Sequence, residues 1–322
     1  MRAPDFWARD GLAAQLLAPF GGITRWLTAR RVARLGFDAG IPVFCAGNAS
    51  VGGSGKTILA RDILVRLPGK PFALTRGYGG HTSGPVLVDL ARHGPAEVGD
   101  EALLLAVTAP TIVAHDRAAG ARLARDLGAT AIVMDDGLQN PSLIKTASFL
   151  VVDGGYGFGN GRLLPAGPLR EPITAAAARC AAAVMIGADE VGARYQLPEN
   201  LPVLQAQIVP VCPDLPTGTR VFAFAGIGRP EKFFASAMQL GMELTGTMKF
   251  PDHHVYTAAD AVKLRTAAQA QQAQLLTTEK DFVKLSPGLK AQTKLLSVHL
   301  AWEDKAAFEV LLQGFTAKSL ES

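Results

Sequence analysis

Ile41-Pro42-Val43-Phe44-Cys45-Ala46-Gly47-Asn48-Ala49-Ser50-Val51-Gly52-Gly53-Ser54-Gly55-Lys56-Thr57 passes from an apolar run through a glycine-rich turn into a stretch of helical character. Strand, loop and helix in that order are what a Walker A phosphate loop requires. The glycines free backbone N–H groups to turn inward around a β-phosphate, where a Cβ would obstruct them. Ser50, Val51, Gly52, Gly53, Ser54, Gly55, Lys56 and Thr57 therefore line the expected nucleotide site. Lys56 can neutralise β and γ oxygens, Thr57 Oγ can ligate Mg²⁺, and the helix start adds its positive dipole end. The strict pattern asks for Gly or Ala where this chain has Ser50. A glycine-rich turn that merely caps a helix is the competing reading, and strand, loop, Lys-Thr and helix together favour the phosphate site.

Downstream, short β-rich runs alternate with helical stretches, the pattern of a parallel sheet covered on both faces. Strands are expected at 41–46, 72–75, 86–89, 111–114, 131–135, 149–153 and 182–186, and helices near 55–66, 99–107 and 116–127. The run Ala131-Ile132-Val133-Met134 is apolar without alternation, as the doubly buried centre of such a sheet is. Ligands of these sheets lie at the carboxyl ends of the strands, which brings the glycine-rich turn and the acidic pair after Met134 to one edge. Pro198, Pro202, Pro210, Pro213 and Pro216 then punctuate a stretch with one alternating segment, 203–209, which reads as a linker or exposed ribbon. A second set follows, with strands near 221–225, 275–277 and 295–298 and helices near 230–240, 257–271 and 304–315. The expected fold is α/β: a P-loop NTPase-like parallel sheet with helices on both faces over 37–200, and a smaller α/β domain over 201–322.

The first forty residues interleave Phe6, Trp7, Leu12, Leu16, Leu17, Phe20, Ile23, Trp26 and Leu27 with arginines. The uncharged window between Asp10 and Arg25 is interrupted by Gln15, Pro19 and Gly21-Gly22, and it falls short of the roughly 20 apolar residues that span a bilayer core. No signal peptide is expected either, because Asp10 abuts the apolar part and no small-residue cleavage site follows cleanly. Segment 1–36 is thus either an amphipathic interfacial helix, with Arg25, Arg30, Arg31 and Arg34 toward anionic headgroups, or a terminal helix packed on the domain; apolar area with basic flanks suits both.

Composition narrows the partners. A net charge of +4 favours anionic ligands such as nucleotides or phospholipids. No Lys/Arg run interleaved with aromatics, no zinc-finger spacing and no ribonucleoprotein motif is present, which argues against a dedicated nucleic-acid reader. Cys45, Cys180 and Cys212 are odd in number and widely spaced, which argues against a disulfide framework and for a reducing compartment.

Acidic residues supply the remaining chemistry. Asp135 and Asp136 close an apolar strand, where a Walker B acid holds Mg²⁺ directly or through water, although a strand-ending Asp-Asp-Gly is also an ordinary turn. Gly99-Asp100-Glu101 opens a helix, with Asp100 placed as an N-cap. Phe250-Pro251-Asp252-His253-His254 offers an imidazole beside an acid, suited to proton transfer or simply to turn chemistry.

Together these residues make the chain resemble the tetraacyldisaccharide 4′-kinases of lipid A biosynthesis, which convert a tetraacylated disaccharide 1-phosphate into lipid IVA. The resemblance rests on the phosphate loop, Arg76-Gly77-Tyr78-Gly79-Gly80, Gly99-Asp100-Glu101, Asp135-Asp136-Gly137-Leu138-Gln139, Leu163-Leu164-Pro165-Ala166-Gly167-Pro168-Leu169-Arg170-Glu171-Pro172, Phe250-Pro251-Asp252-His253-His254 and Thr278-Glu279-Lys280-Asp281. It implies ATP as co-substrate with Mg²⁺, Asp100 as general base and His253 as its partner brought in from the second domain, which closes over the site. It further implies that Asp252 orients His253, that Asp135 and Asp136 manage the metal, and that Arg117 adds charge on the transferring group. Glu101, Gln139 and Glu171 would support the site or position substrate, and Tyr78 would belong to a lid. Thr278 to Asp281 would position nucleotide, close the domains or act as a cap and structural ion pair. The implied place of work is the cytoplasmic face of the inner membrane, peripheral, with the lipid precursor as substrate and no obligate protein partner. Two rivals remain: a P-loop ATPase or GTPase switch, which releases phosphate without a phosphorylated acceptor, and a membrane-associated nucleotide-binding adaptor, which binds without turnover.

Overall fold

Val43 to Gly47 are buried without exception and form strand β1 (Val43–Gly47). Alternate side chains of this strand enter different cores: Val43 and Cys45 join a cluster with Ile132, Met134 and Leu138, while Phe44 and Ala46 join one with Leu59, Ile63, Val133 and Phe149. Burial on both faces is why the segment reads as a continuous apolar run. The structure is a computed structural model that describes residues 4–53 and 55–318. Ser54 of the expected phosphate loop and residues 1–3 of the expected N-terminal segment lie outside the described residues.

On one side β1 pairs in parallel with β5 (Ala131–Asp135), followed by β2 (Pro71–Thr75), β4 (Thr111–Val113) and the short antiparallel edge β3 (Val86–Leu87). On the other side it pairs in parallel with β6 (Ala147–Asp153), then β7 (Ala182–Ile186) and β8 (Val203–Val211). The sheet then continues through β12 (Thr293–Trp302), antiparallel to β8, and on to β11 (Gln274–Thr278), β9 (Arg220–Ala225) and β10 (Glu243–Lys249), which run parallel to one another. Both halves of the chain thus contribute to one twelve-stranded sheet.

The helices expected near 55–66, 99–107 and 116–127 are Lys56–Arg66, Asp100–Ala106 and Arg117–Asp126. Three details correct the sequence reading or decide within it. The strand expected at 86–89 shrinks to Val86–Leu87 at the sheet edge. Of the two readings of the proline-punctuated segment, the ribbon holds over the linker: its alternating run 203–209 lies in β8, whose pairing with both β7 and β12 joins the halves. Strand β10 was not anticipated, because Gly246 interrupts its pattern at an irregularity in register. A Cβ on Gly246 would lie 2.8 Å from the Phe222 ring, so the glycine lets that ring close on the strand.

The last helix, Lys305–Lys318, returns to the first half, where Phe308 and Leu312 enter the core beside Phe44 and Phe149. Phe308 stacks on Trp302 at 4.0 Å and meets Phe149 edge-on at 5.6 Å. At the other terminus, helices Leu12–Leu17 and Gly21–Val32 dock on the loop before residue 171. Thr24 donates to Leu164 O, Thr28 to Arg170 O and Trp7 Nε1 to Pro165 O, and Asp10 pairs with Arg162. Leu12, Leu16, Phe20, Ile23, Trp26 and Leu27 stay exposed on the outer side. No described helix is long and apolar enough to cross a membrane.

Candidate active site

The parallel pairing of β1 with β5 sets Ala46 opposite Asp135, so the glycine-rich loop and the acidic pair emerge from the same sheet edge. A returning segment clamps the loop from outside. Val51 N donates to Pro168 O at 2.8 Å, Arg170 N donates to Ala49 O at 2.7 Å, and Ser50 bridges Leu169. Gly55 ends the loop at φ +89, and a Cβ there would sit 2.5 Å from Ile186 Cδ1, so only glycine fits both the angle and the space.

Lys56 and Thr57 open the following helix. Lys56 Nζ donates to Gly52 O at 3.1 Å and lies 3.8 Å from Asp136 Oδ1. Thr57 Oγ donates to Asp135 Oδ2 at 2.8 Å. The other oxygen of Asp135 is buried and has no hydrogen-bond partner among the described residues. Burial, the nearby Glu101 charge and Asp136 push the Asp135 acid up to about 7 against the Thr57 hydrogen bond and Lys56. A buried acceptor without a donor, next to a threonine hydroxyl at a phosphate loop, is the donor set that suits Mg²⁺. No cluster of three or more His, Cys, Asp or Glu able to hold a metal exists among the described residues.

Asp136 is differently placed. Its backbone is left-handed at φ 53, and Arg170 binds its carboxylate at 3.0 to 3.2 Å. Burial raises this acid, but Lys56 and Arg170 outweigh it and hold it below the ordinary range. Arg170 also donates to Gln139, which donates to Asn48 O and to Glu171, and Glu171 pairs with Arg179 at 2.6 Å. Gln139 and Glu171 are thereby buried as braces of the loop rather than presented to a ligand. Arg117 is buried at the start of its helix, donates to Ala114 O and leaves Nε without a hydrogen-bond partner among the described residues. Burial and the charge of Arg76 bring its guanidinium down to about 10.

The second cluster is built from both halves of the sheet. Asp100 is the first residue of its helix and does not cap it; Gly99, at φ 82, is the N-cap. Its carboxylate instead reaches His253, whose Nδ1 lies 2.9 Å from Oδ2 across 153 positions of sequence. Burial raises Asp100, yet the His253 hydrogen bond and the charges of Lys280, His253 and Lys284 leave it below the usual carboxylate value. His253 is raised, first by its bond to Asp100, against burial. The expected orienting acid Asp252 lies 3.8 Å from Nε2, beyond hydrogen-bond reach, so Asp100 is what orients the ring. Tyr78 is exposed between Gly77 and Gly79, with its ring 6.5 Å from that of His253.

Thr278 to Asp281 join the clusters. The Thr278 hydroxyl caps the helix Glu279–Phe282. Glu279 receives two 2.9 Å hydrogen bonds from Arg61 on the helix that follows the phosphate loop. Lys280 lies 3.5 Å from Glu101. Asp281 accepts from Gly226 N, and Gly226 O in turn accepts from His253 N. Arg170, Arg61 and Lys280 were not singled out from sequence. Arg170 and Lys280 stand inside the recognised motifs, whereas Arg61 carries no local signal.

With this geometry in place, comparison with known proteins is informative. The family model described as Tetraacyldisaccharide-1-P 4′-kinase matches residues 13–316. A tetraacyldisaccharide 4′-kinase from Gluconacetobacter diazotrophicus is 49% identical over 326 residues, covering 99% of each chain. One from Paramagnetospirillum magneticum is 50% identical over 310 residues, covering 94% of this chain and 95% of the other. Among solved structures, an "apo" form LpxK from Aquifex aeolicus in complex with ATP matches with TM-score 0.78 and 25% identity, over 95% of this chain and 100% of that one.

Proposed function

We propose a reaction for this site from one premise: the chain belongs to the tetraacyldisaccharide-1-P 4′-kinase family. It is an ATP-dependent kinase that phosphorylates the 4′-hydroxyl of tetraacyldisaccharide 1-phosphate in lipid A biosynthesis, forming lipid IVA. The observation that carries the assignment of residues is the meeting of Asp100 with His253 beside the phosphate loop.

Backbone amides of 52, 53 and 55 hold the triphosphate, and Lys56 meets its β and γ oxygens. Thr57 and Asp135 would hold Mg²⁺, which when bound neutralises charge on the phosphates. Asp136 is engaged by Arg170 and Lys56 and sets the position of that lysine. The Asp100–His253 pair takes the proton of the 4′-hydroxyl as its oxygen bonds to the γ-phosphorus and the bond to the ADP oxygen breaks. Arg117 adds positive field on the acidic side of the loop, where it raises no steric demand on the acceptor.

Residues of the second half, within 201–322, close over this site, and Tyr78 with its flanking glycines covers the acceptor side. The exposed apolar face of Leu12–Leu17 and Gly21–Val32, flanked by Arg25, Arg30 and Arg31, rests on the bilayer that holds the lipid. Because ATP is the co-substrate and the acceptor is a bilayer lipid, the enzyme would work peripherally at the cytoplasmic face of the inner membrane. Replacing Leu12, Leu16, Ile23 and Trp26 together by Gln tests that contact better than deletion, which would also remove the bonds from Thr24 and Thr28 to the clamp around the phosphate loop. Unchanged sedimentation with anionic vesicles would exclude it.

For the reaction itself, γ-labelled ATP and the lipid disaccharide are supplied together. Label must appear in the lipid in wild type and disappear from it in Asp100→Asn. Label in free phosphate alone would mark a hydrolytic switch, and none at all a binding adaptor.

A further inference from the structure

Lys280 extends from the second half to the acidic helix start at Asp100 and Glu101, 3.5 Å from Glu101 Oε1 and about one-third exposed. An isolated ion pair at that distance and exposure contributes little to stability. Its surroundings give it another use. Asp100, Glu101 and Asp252 crowd one spot with the His253 imidazole, and burial, which favours a neutral amine, is outweighed at Lys280 by these three carboxylates. The helix that carries Lys280 also holds the histidine loop, through Asp281, Gly226 N and the bond from His253 N to Gly226 O. One turn of chain therefore grips both members of the Asp100–His253 pair.

We propose that Lys280 is a positioning residue for phosphoryl transfer: its ammonium, bound to Glu101, holds the helix start that carries Asp100 against the loop that carries His253 and offsets the negative charge gathered there. This rests on the reading of Asp100 and His253 as the proton acceptor. Lys280 acts through them and touches no reacting atom.

The charges facing the pair fix the sign of the effect. Asp100 faces His253, Lys280 and Lys284, while His253 faces Asp100, Asp252 and Lys280. Lys280 lowers the proton affinity of both groups. Lys284 cannot replace it, being buried in an ion pair with Asp281 at 2.9 Å. Without Lys280, both acceptor groups keep their protons to higher pH, and the helix start loses its tie to the second half.

The full-length chain is compared with Lys280→Met and Lys280→Arg, reading kcat and KM for ATP and for the lipid acceptor from about pH 5 to 9. Lys280→Met should lower kcat on the order of tenfold to a hundredfold, with KM for ATP within about twofold of wild type. Its acidic limb should move to higher pH. Lys280→Arg keeps the charge and should recover most of the rate and the limb position. An unchanged ATP KM also shows that the variant is folded. The proposal fails if Lys280→Met turns over normally, if its rate falls with the limb unmoved, or if only KM for ATP rises, which would make Lys280 a nucleotide ligand. Asp100→Asn and His253→Gln run beside it separate the two levels: normal turnover in both removes the acceptor reading itself, while collapse in both with Lys280→Met unaffected removes only Lys280.

Discussion

The phosphate loop and the Asp100–His253 pair are neighbours built on opposite plans. The described bonds that shape the loop come from the first half of the chain, in the 163–171 clamp and Thr57 on Asp135, and Ile186 of the same half packs close to Gly55. The pair exists only where that half meets the other, and one partner is buried while the imidazole is half-exposed. On the proposed function, a cradle built within one half beside an acceptor shared between halves would let closure of the halves complete the acceptor and exclude water.

Substitutions can break the contrast at graded strengths. The largest loss should follow Lys56→Ala, which removes transfer by roughly 10³-fold or more and weakens ATP binding as well; a labelled-lipid assay with an ATP titration reads both. Asp100→Asn should lower kcat by about 10²- to 10⁴-fold while leaving KM for ATP within about twofold, the signature of damage to the acceptor alone. Glu279→Gln replaces one of the two acceptors of Arg61 by an amide donor and removes the charge, which breaks the paired hydrogen bonding that binds the halves together. It should cost about 1.5–3 kcal/mol in urea unfolding and lower kcat more than it raises KM for ATP.

The smallest effect is in pH. His253 gains proton affinity on folding, so the stability it contributes is fully present below its unfolded value of about 6.5 and is lost as pH rises through the raised folded value. Asp100 runs the other way: its share is present above about 3.9 and is lost as pH falls through the depressed folded value. The Tm difference between wild type and His253→Gln should therefore be widest between about pH 4 and 6.5 and narrow on both sides. A difference that does not vary with pH would mean that the pair is not charged in the folded protein.

The same contrast governs what could be read from sequence. The cradle was legible because its signals are consecutive: glycines at the turn, Lys-Thr at the helix start, an apolar strand ahead. Asp100 and His253 could be paired only through resemblance, since nothing local to either says that they meet. Arg170 was visible within a motif, but its grip on Asp136 depends on the return of 163–171 over the loop. Asp100 was misplaced by one position as a cap because acids are favourable both before and within the first helical turn. Strand β10 was missed because it pairs only with β9 and much of its surface is exposed, so no continuous apolar signal marks it.

The chain leaves the first half through β8 and comes back beside it through β12, and only then lays down Lys305–Lys318 over Phe44 and Phe149. During synthesis the nucleotide-binding half is therefore left with an uncovered aromatic face until Lys305–Lys318 has left the ribosome. Newly made protein is exposed to aggregation for most of its translation. A premature stop before Lys305 would be far more harmful than its distance from Lys56 suggests.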